Sequence, residues 1–264
     1  MAQFQKFIVL ALLLLSNLDS KPISEKDRRI TILYVCHLEG ELQFDEDGRR
    51  GLATISEVKR REAEKIFRER GGVLLLSRGN FFESTEHDKS FKLMKDSLFD
   101  SILLEEEEIN YFEKNPNLKK LNLPILSPRE NILGLDTEKI FDLDGIHVRV
   151  NSYLLNKIPI QKTKQIHVNL IFPEKDESID FSKIHPEIPV IFFLPREKTS
   201  DYSFHANVYT AHCPEKKGML GKIHLYFRDN KLIRESQEMI LLNTKEQNQN
   251  WIRPHEEVLK SLDN

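Results

Sequence analysis

Cysteine is almost absent from this chain. Cys36 and Cys213 are the only two among 264 residues, which excludes a scaffold built on disulfides. Neither sits in a CxxC or HxxxH pattern, so no zinc-type spacing is present. In an oxidising compartment the two can pair, but sequence does not say whether they are close. Ten Gly and eleven Pro are too few for a collagen-like or low-complexity chain. An excess of one charge is missing as well: 39 Lys+Arg against 42 Asp+Glu leave a net charge of −3. That balance excludes a nucleic-acid footprint spread over the whole chain. No apolar run approaches the roughly 20 residues that cross a bilayer.

What is present is a globular composition. Apolar residues make up 39% and charged residues 31%, and the 16 Phe argue against disorder. The longest apolar run, Phe7 to Leu15, follows Lys6 and precedes the polar stretch Ser16 to Ser20. A basic residue, a short apolar segment and a polar stretch are the layout of a secretory signal. Residues 1–20 are therefore expected to be a signal peptide, with a buried N-terminal helix or strand as the alternative. The mature protein is expected to be exported, periplasmic or secreted, with no transmembrane segment.

Along the mature chain, Ile30 to Cys36 reads as a buried strand. After the loop Glu39 to Gly51, the residues Leu52, Ile55, Val58, Ala63, Ile66 and Phe67 recur at helical spacing. Gly71-Gly72 is expected to stop that helix. Val73 to Leu76 reads as a strand, Phe91 to Leu98 as a helix and Ser101 to Leu104 as a strand. A helix over Glu107 to Glu113 ends by Pro116, and Pro124 to Leu126 is another short strand. This alternation predicts an α/β layered sheet with right-handed crossovers. Six further strands are expected in the second half: Ile146 to Val150, His167 to Phe172, Val190 to Leu194, Asn207 to Ala211, Lys222 to Phe227 and Gln237 to Leu242. Asp229-Asn230-Lys231 is expected to turn a hairpin. Asn156 to Lys164 is the expected flexible loop, and residues 245–264 read as a polar tail with Trp251 as its aromatic anchor.

Several segments, in order, resemble the 5′-nucleotidase branch of the calcineurin-like metallophosphoesterases. The first strand is followed by Cys36-His37-Leu38-Glu39-Gly40, where that family has Asn-Asp-x-His-Gly. Arg50-Gly51-Leu52-Ala53 is similar to its Gly-Gly-Leu-Ala. Val73 to Leu76 and then Ser77-Arg78-Gly79-Asn80 stand where it has an apolar strand and Asp-x-Gly-Asp. Phe99 to Asn110 is similar to Tyr-Asp-Ala-x-x-Leu-Gly-Asn-His-Glu-Phe-Asp, and Gly218 to Ile223 to Gly-x-x-Leu-Gly-x-Leu. The resemblance spans most of residues 30 to 243. It implies an α/β fold, a two-sheet sandwich flanked by helices (α-β-β-α), over residues 21–244.

The same resemblance implies a damaged site. The family's metal ligands fall on His37, Glu39, Asn80 and Glu106, and its catalytic His on Glu107. Its later His motifs fall near Phe172-Pro173-Glu174 and Leu194-Pro195-Arg196-Glu197. A bridging carboxylate is anionic, whereas Asn80 offers a neutral amide, and Pro and Arg supply no metal-binding side chain. The expectation is a protein that acts by binding a protein or ligand rather than by hydrolysis, with no catalytic residue and no cofactor. The alternative is an enzyme with one divalent metal ion rebuilt on His37, Glu39, Asn80 and Glu106, still a phosphoesterase or other hydrolase. Glu105 to Glu108 reads as a solvated helix start. Lys59-Arg60-Arg61, interleaved with Glu57, Glu62 and Glu64, reads as a mixed solvated face and not a nucleic-acid stripe. His205 and His212 read as scattered surface histidines. No sequence feature names the partner.

Overall fold

A computed structural model describes residues 27–36, 38, 42, 51–67, 69–81, 87–128, 134–153, 166–173, 188–194, 207–214, 218–243 and 252–262. The expected signal peptide, the Asn156 to Lys164 loop and Trp251 lie outside the described residues. Among the described residues, eleven strands form two sheets. Sheet A has the order β11-β10-β1-β2-β3-β4, from β1 (Arg28–Val35), β2 (Gly71–Ser77), β3 (Ser101–Leu103), β4 (Ile125–Leu126), β10 (Met219–Arg228) and β11 (Lys231–Leu241). Sheet B has the order β5-β6-β7-β8-β9, from β5 (Glu138–Leu143), β6 (Ile146–Tyr153), β7 (Val168–Pro173), β8 (Val190–Leu194) and β9 (Val208–His212). β1 to β4 are parallel, as are β6 to β9; β5, β10 and β11 join by antiparallel pairing.

The apolar runs have two destinations. From β1, Ile30, Ile32, Tyr34 and Cys36 point toward sheet B, while Leu33 and Val35 point toward the helices. A strand buried on both faces reads as a continuous apolar run, which is why β1 and β2 were legible. Val148, Val150, Val168, Leu170, Phe172, Ile191 and Phe193 complete the core between the sheets. The described helices pack on the other face of sheet A: α1 (Leu52–Phe67), α2 (His87–Lys95), α3 (Glu106–Lys114) and α4 (Glu256–Leu262). The stretch after Thr244 contributes Ile252 and Val258 to that core. Asn243 fastens it by accepting the Ile252 N–H at 2.6 Å and donating to the Ile252 carbonyl at 2.7 Å.

Two local expectations are corrected, and one hairpin is added. Gly71-Gly72 does not cap α1, which ends at Phe67; both glycines open β2 beside Arg29 and Ile30. A Cβ on Gly71 would lie 1.9 Å from the Arg29 carbonyl oxygen, so the glycine answers to strand contact rather than helix termination. In α1, Phe67 is 91% exposed, whereas Glu62 lies on the buried stripe. Lys222 reaches Glu62 from β10 at 3.5 Å and Lys65 from the next turn at 2.6 Å, so the buried carboxylate is paired. The hairpin β5–β6 was not anticipated. It turns on Asp144 (φ 55°) and Gly145 (φ 80°), the left-handed pair that a two-residue hairpin requires. Asp229 and Asn230 do the same between β10 and β11, as expected.

Tyr34 locks the two sheets. Its ring lies edge-on to Phe193 at 4.7 Å, and Phe193 stacks on Phe172 at 4.1 Å. Its hydroxyl donates to the His212 carbonyl at 2.7 Å. Burial pushes the phenol pKa well up, so it remains a donor throughout the ordinary pH range. The ring covers Gly221 of β10, where a Cβ would meet it at 2.2 Å. Gly221→Ala is therefore expected to lower stability by about 1–3 kcal/mol through overpacking, read as a lower urea midpoint with an unchanged slope.

Candidate functional site

The carboxyl ends of the parallel strands of both sheets converge. Cys36, just after β1, is disulfide-bonded to Cys213, just after β9, with Cα atoms 5.7 Å apart. Arg78, just after β2, donates from its guanidinium to the carbonyl of Pro173 at the end of β7, at 3.0 Å. In open α/β sheets, ligands bind beyond the carboxyl ends of strands, so this end of the sandwich is the candidate site.

The loops that line it are knitted by backbone bonds. Arg78 N–H donates to the Val35 carbonyl at 2.9 Å, and Leu38 N–H to the Asn80 carbonyl at 3.0 Å. The loop after β2 makes a sharp turn through Gly79 (φ 98°) and Asn80 (φ 52°). A Cβ on Gly79 would lie 2.4 Å from the Leu103 carbonyl and 2.6 Å from a Glu108 oxygen. Only glycine fits there. Asp100 supports the base of the loop: its carboxylate accepts the Leu75 N–H at 2.7 Å and pairs with Lys59 at 2.8 Å.

Glu108 is the keystone of these loops. It is 2% exposed, and its two oxygens accept the N–H groups of Phe81 at 2.7 Å and Glu105 at 2.9 Å. The Asn80 N–H also bonds to it. Burial nevertheless dominates and pushes its pKa up to about 7, with the neighbouring Glu105 charge adding to the rise. The expectation of a solvated helix start holds for Glu106 and Glu107, which are exposed in the first turn of α3, and is corrected for Glu108.

Arg78 is only 7% exposed. Its Nε lies 3.7 Å from a Glu105 oxygen, so the guanidinium is partly neutralised there while it bridges to β7. Sequence reasoning passed over this residue, because it occupies the unspecified position of the family's Asp-x-Gly-Asp pattern. Of the four residues named for a rebuilt metal site, Asn80 lies on the β2 turn and Glu106 opens α3. His37 and Glu39 lie outside the described residues, as do Glu174, Pro195, Arg196, Glu197 and His205. Among the described residues, no three His, Cys, Asp or Glu side chains are placed to hold a metal ion. The residues that are described fit such an ion poorly, since the side chain that joins the strand ends is a permanent cation. His212 sits beside the disulfide, and its ring Nδ1 is buried with no hydrogen-bond partner. Among the described residues, no helix is long and apolar enough to cross a membrane.

This architecture is that of the calcineurin-like phosphoesterases, two mixed sheets with flanking helices. Calcineurin-like phosphoesterase YfkN from Bacillus subtilis superposes with a TM-score of 0.61 at 13% identity, over 90% of this chain and 96% of that one. The sulfate thiohydrolase SoxB from Thermus thermophilus gives 0.61 at 9% identity, over 92% of this chain and 60% of that one. A 5′-nucleotidase from Candida albicans gives 0.60 at 11% identity, over 89% of this chain and 56% of that one. The present chain thus spans little more than half the length of the latter two. No family model matches the sequence, and no curated protein matches it. At these identities the likeness establishes the fold.

Two outcomes are expected. Replacing both cysteines, Cys36→Ser with Cys213→Ser, removes a crosslink with a sequence separation of 177. It should cost about 2–5 kcal/mol, read by calorimetry as a lower melting temperature. Glu108 binds its proton more tightly folded than unfolded, so its contribution to stability falls as pH rises from 4.5 to about 7. The full fall is about 3 kcal/mol. The stability difference between the wild type and Glu108→Gln, followed by urea unfolding, should shrink by that order across this window.

Proposed function

We propose that this chain is an exported protein that uses the metallophosphoesterase fold for binding, without hydrolysis of phosphate esters. The observation that carries the reading is the buried Arg78 guanidinium across the strand ends. A buried guanidinium repels a divalent cation, and burial makes that repulsion stronger than it would be in water. Glu105 offsets part of this repulsion, but it is itself engaged with Arg78.

The pattern of matching residues supports the same reading. Where the sequence agrees with the family motifs, the residues build the frame: Asp100 holds β2, Gly79 permits the turn, and Glu108 ties the loop after β2 to the loop after β3. Where it departs from them, at His37, Glu39, Asn80, Glu106 and Glu107, the positions are those that the resemblance assigns to metal or catalysis. Export is supported by the leader-like Lys6 to Ser20 segment and by a buried disulfide, a bond that persists in oxidising compartments.

The test is thermal melting of the protein with EDTA and with added zinc, manganese or calcium, beside a phosphoesterase assay. The expected result is one melting temperature under all conditions and no turnover. A saturable rise with one metal, abolished by Asn80→Ala, would overturn the proposal in favour of the rebuilt enzyme site. Arg78→Ala should lower stability by about 1–3 kcal/mol, because it leaves the Pro173 carbonyl without this donor.

A further inference from the structure

β11 closes one side of sheet A, and among the described residues no strand pairs with its outer edge. It is long for an edge, 11 residues from Lys231 to Leu241. An edge of that length presents a row of backbone donors and acceptors ready for another strand. Met239 and Leu241 are large apolar side chains on it, each 37% exposed. Edges of soluble proteins are commonly blunted by scattered charge, but the charges here are ordered. Arg234, Ser236 and Glu238 lie on one face of β11, opposite Tyr226, His224 and Lys222 of β10; within the chain Glu238 pairs with Lys222 and Arg234 sits over the Tyr226 ring at 6.0 Å, so a partner strand would extend an existing row of charges. The β-bulge between Tyr226 and Phe227 marks the limit of this regular stretch.

We propose that β11 is a self-association edge, which pairs antiparallel with β11 of a second copy about a twofold axis through Ser236. In that register Ser236 meets its own counterpart, Arg234 meets Glu238 of the other copy twice, and Glu235 meets Gln237. Directly opposed residues must share a face, so neighbouring registers differ by steps of one residue in the position of the axis. An axis through Glu235 or through Glu238 sets that carboxylate against its own copy. An axis through Gln237 sets Arg234 against Ile240 and Ser236 against Glu238. An axis through Ile233 also forms two opposite-charge pairs, Lys231 with Glu235, but overlaps only the first part of the strand, whereas the Ser236 axis pairs all 11 residues of β11 and opposes no like charges. Such an interface is isologous and closed, so the partner is one further copy and not a fibre.

The pairing is testable by crosslinking. Directly opposed residues of an antiparallel pair have Cα atoms about 4.5–5.5 Å apart, within disulfide reach. Cys36 and Cys213 are bonded to each other, so Ser236→Cys adds the one free thiol of the chain. Mild oxidation should convert this variant to a covalent species of twice the 31.0 kDa chain mass. Met239→Cys, which faces Ile233 in this register, should crosslink far more slowly. Sedimentation equilibrium of the unmodified protein should show a reversible dimer. Arg234→Glu should raise its dissociation constant by about tenfold or more, since two attractions become two repulsions. Circular dichroism checks that this variant keeps its fold. A protein that sediments as a monomer at about 100 µM, on the weak side of the micromolar range, would overturn the proposal. So would equal crosslinking rates for Ser236→Cys and Met239→Cys.

Discussion

The face-to-face contact of the two sheets, fastened at one end by Cys36–Cys213, is the constraint on which the rest of this structure depends. Each sheet alone would expose an apolar face: Ile30, Ile32 and Tyr34 on one side, Val148, Leu170 and Phe193 on the other. Burial of those faces aligns the parallel strands of both sheets so that their carboxyl ends meet. The disulfide then fixes β1 against β9 at that end, and Tyr34 repeats the link one step deeper through the His212 carbonyl. Without that alignment, Arg78 would have no carbonyl to reach, and the loops after β1, β2 and β3 would have no common surface.

Three carboxylates of the frame are held at buried or half-buried positions, each by identifiable partners. Glu108 is retained because three backbone N–H groups would otherwise be buried without acceptors, even though burial makes its charge costly. Asp100 takes the place of a backbone partner for Leu75 and borrows Lys59 to balance its charge. Glu62 is paired twice under α1. These groups act on the frame. None of them is presented to solvent as a reactive side chain.

The frame was legible in the sequence where burial is two-sided or strictly periodic. β1, β2, β7 and β8 announced themselves as apolar runs, and the order of motif-like segments pointed to the two-sheet sandwich. The errors have identifiable causes. Gly71 looked like a helix stop because glycine serves both helix ends and close strand contacts, and only the neighbouring Arg29 carbonyl distinguishes them. Phe67 falls at the spacing of the apolar stripe yet is exposed where α1 ends, and Glu62, which reads as part of a solvated face, is buried because it pairs with Lys222, 160 residues away. The β5 strand has a mostly exposed pattern, Glu-Lys-Ile-Phe-Asp-Leu, that gives little apolar signal. At the site, Arg78 and the Cys36–Cys213 pairing depend on contacts between residues far apart in the chain, which no local spacing reveals.

The relation between the resemblance and the chemistry is therefore physical rather than historical. A two-metal site does structural work as well as catalysis, because a cation bound by loops from both sheets holds those loops together. Here the ends of the two sheets are joined by bonds that the polypeptide itself supplies: a disulfide from just after β1 to just after β9 and a guanidinium from just after β2 to β7. The guanidinium also places a permanent positive charge beside Glu105, 3.7 Å from its carboxylate, so part of the charge at the strand ends is balanced within the chain.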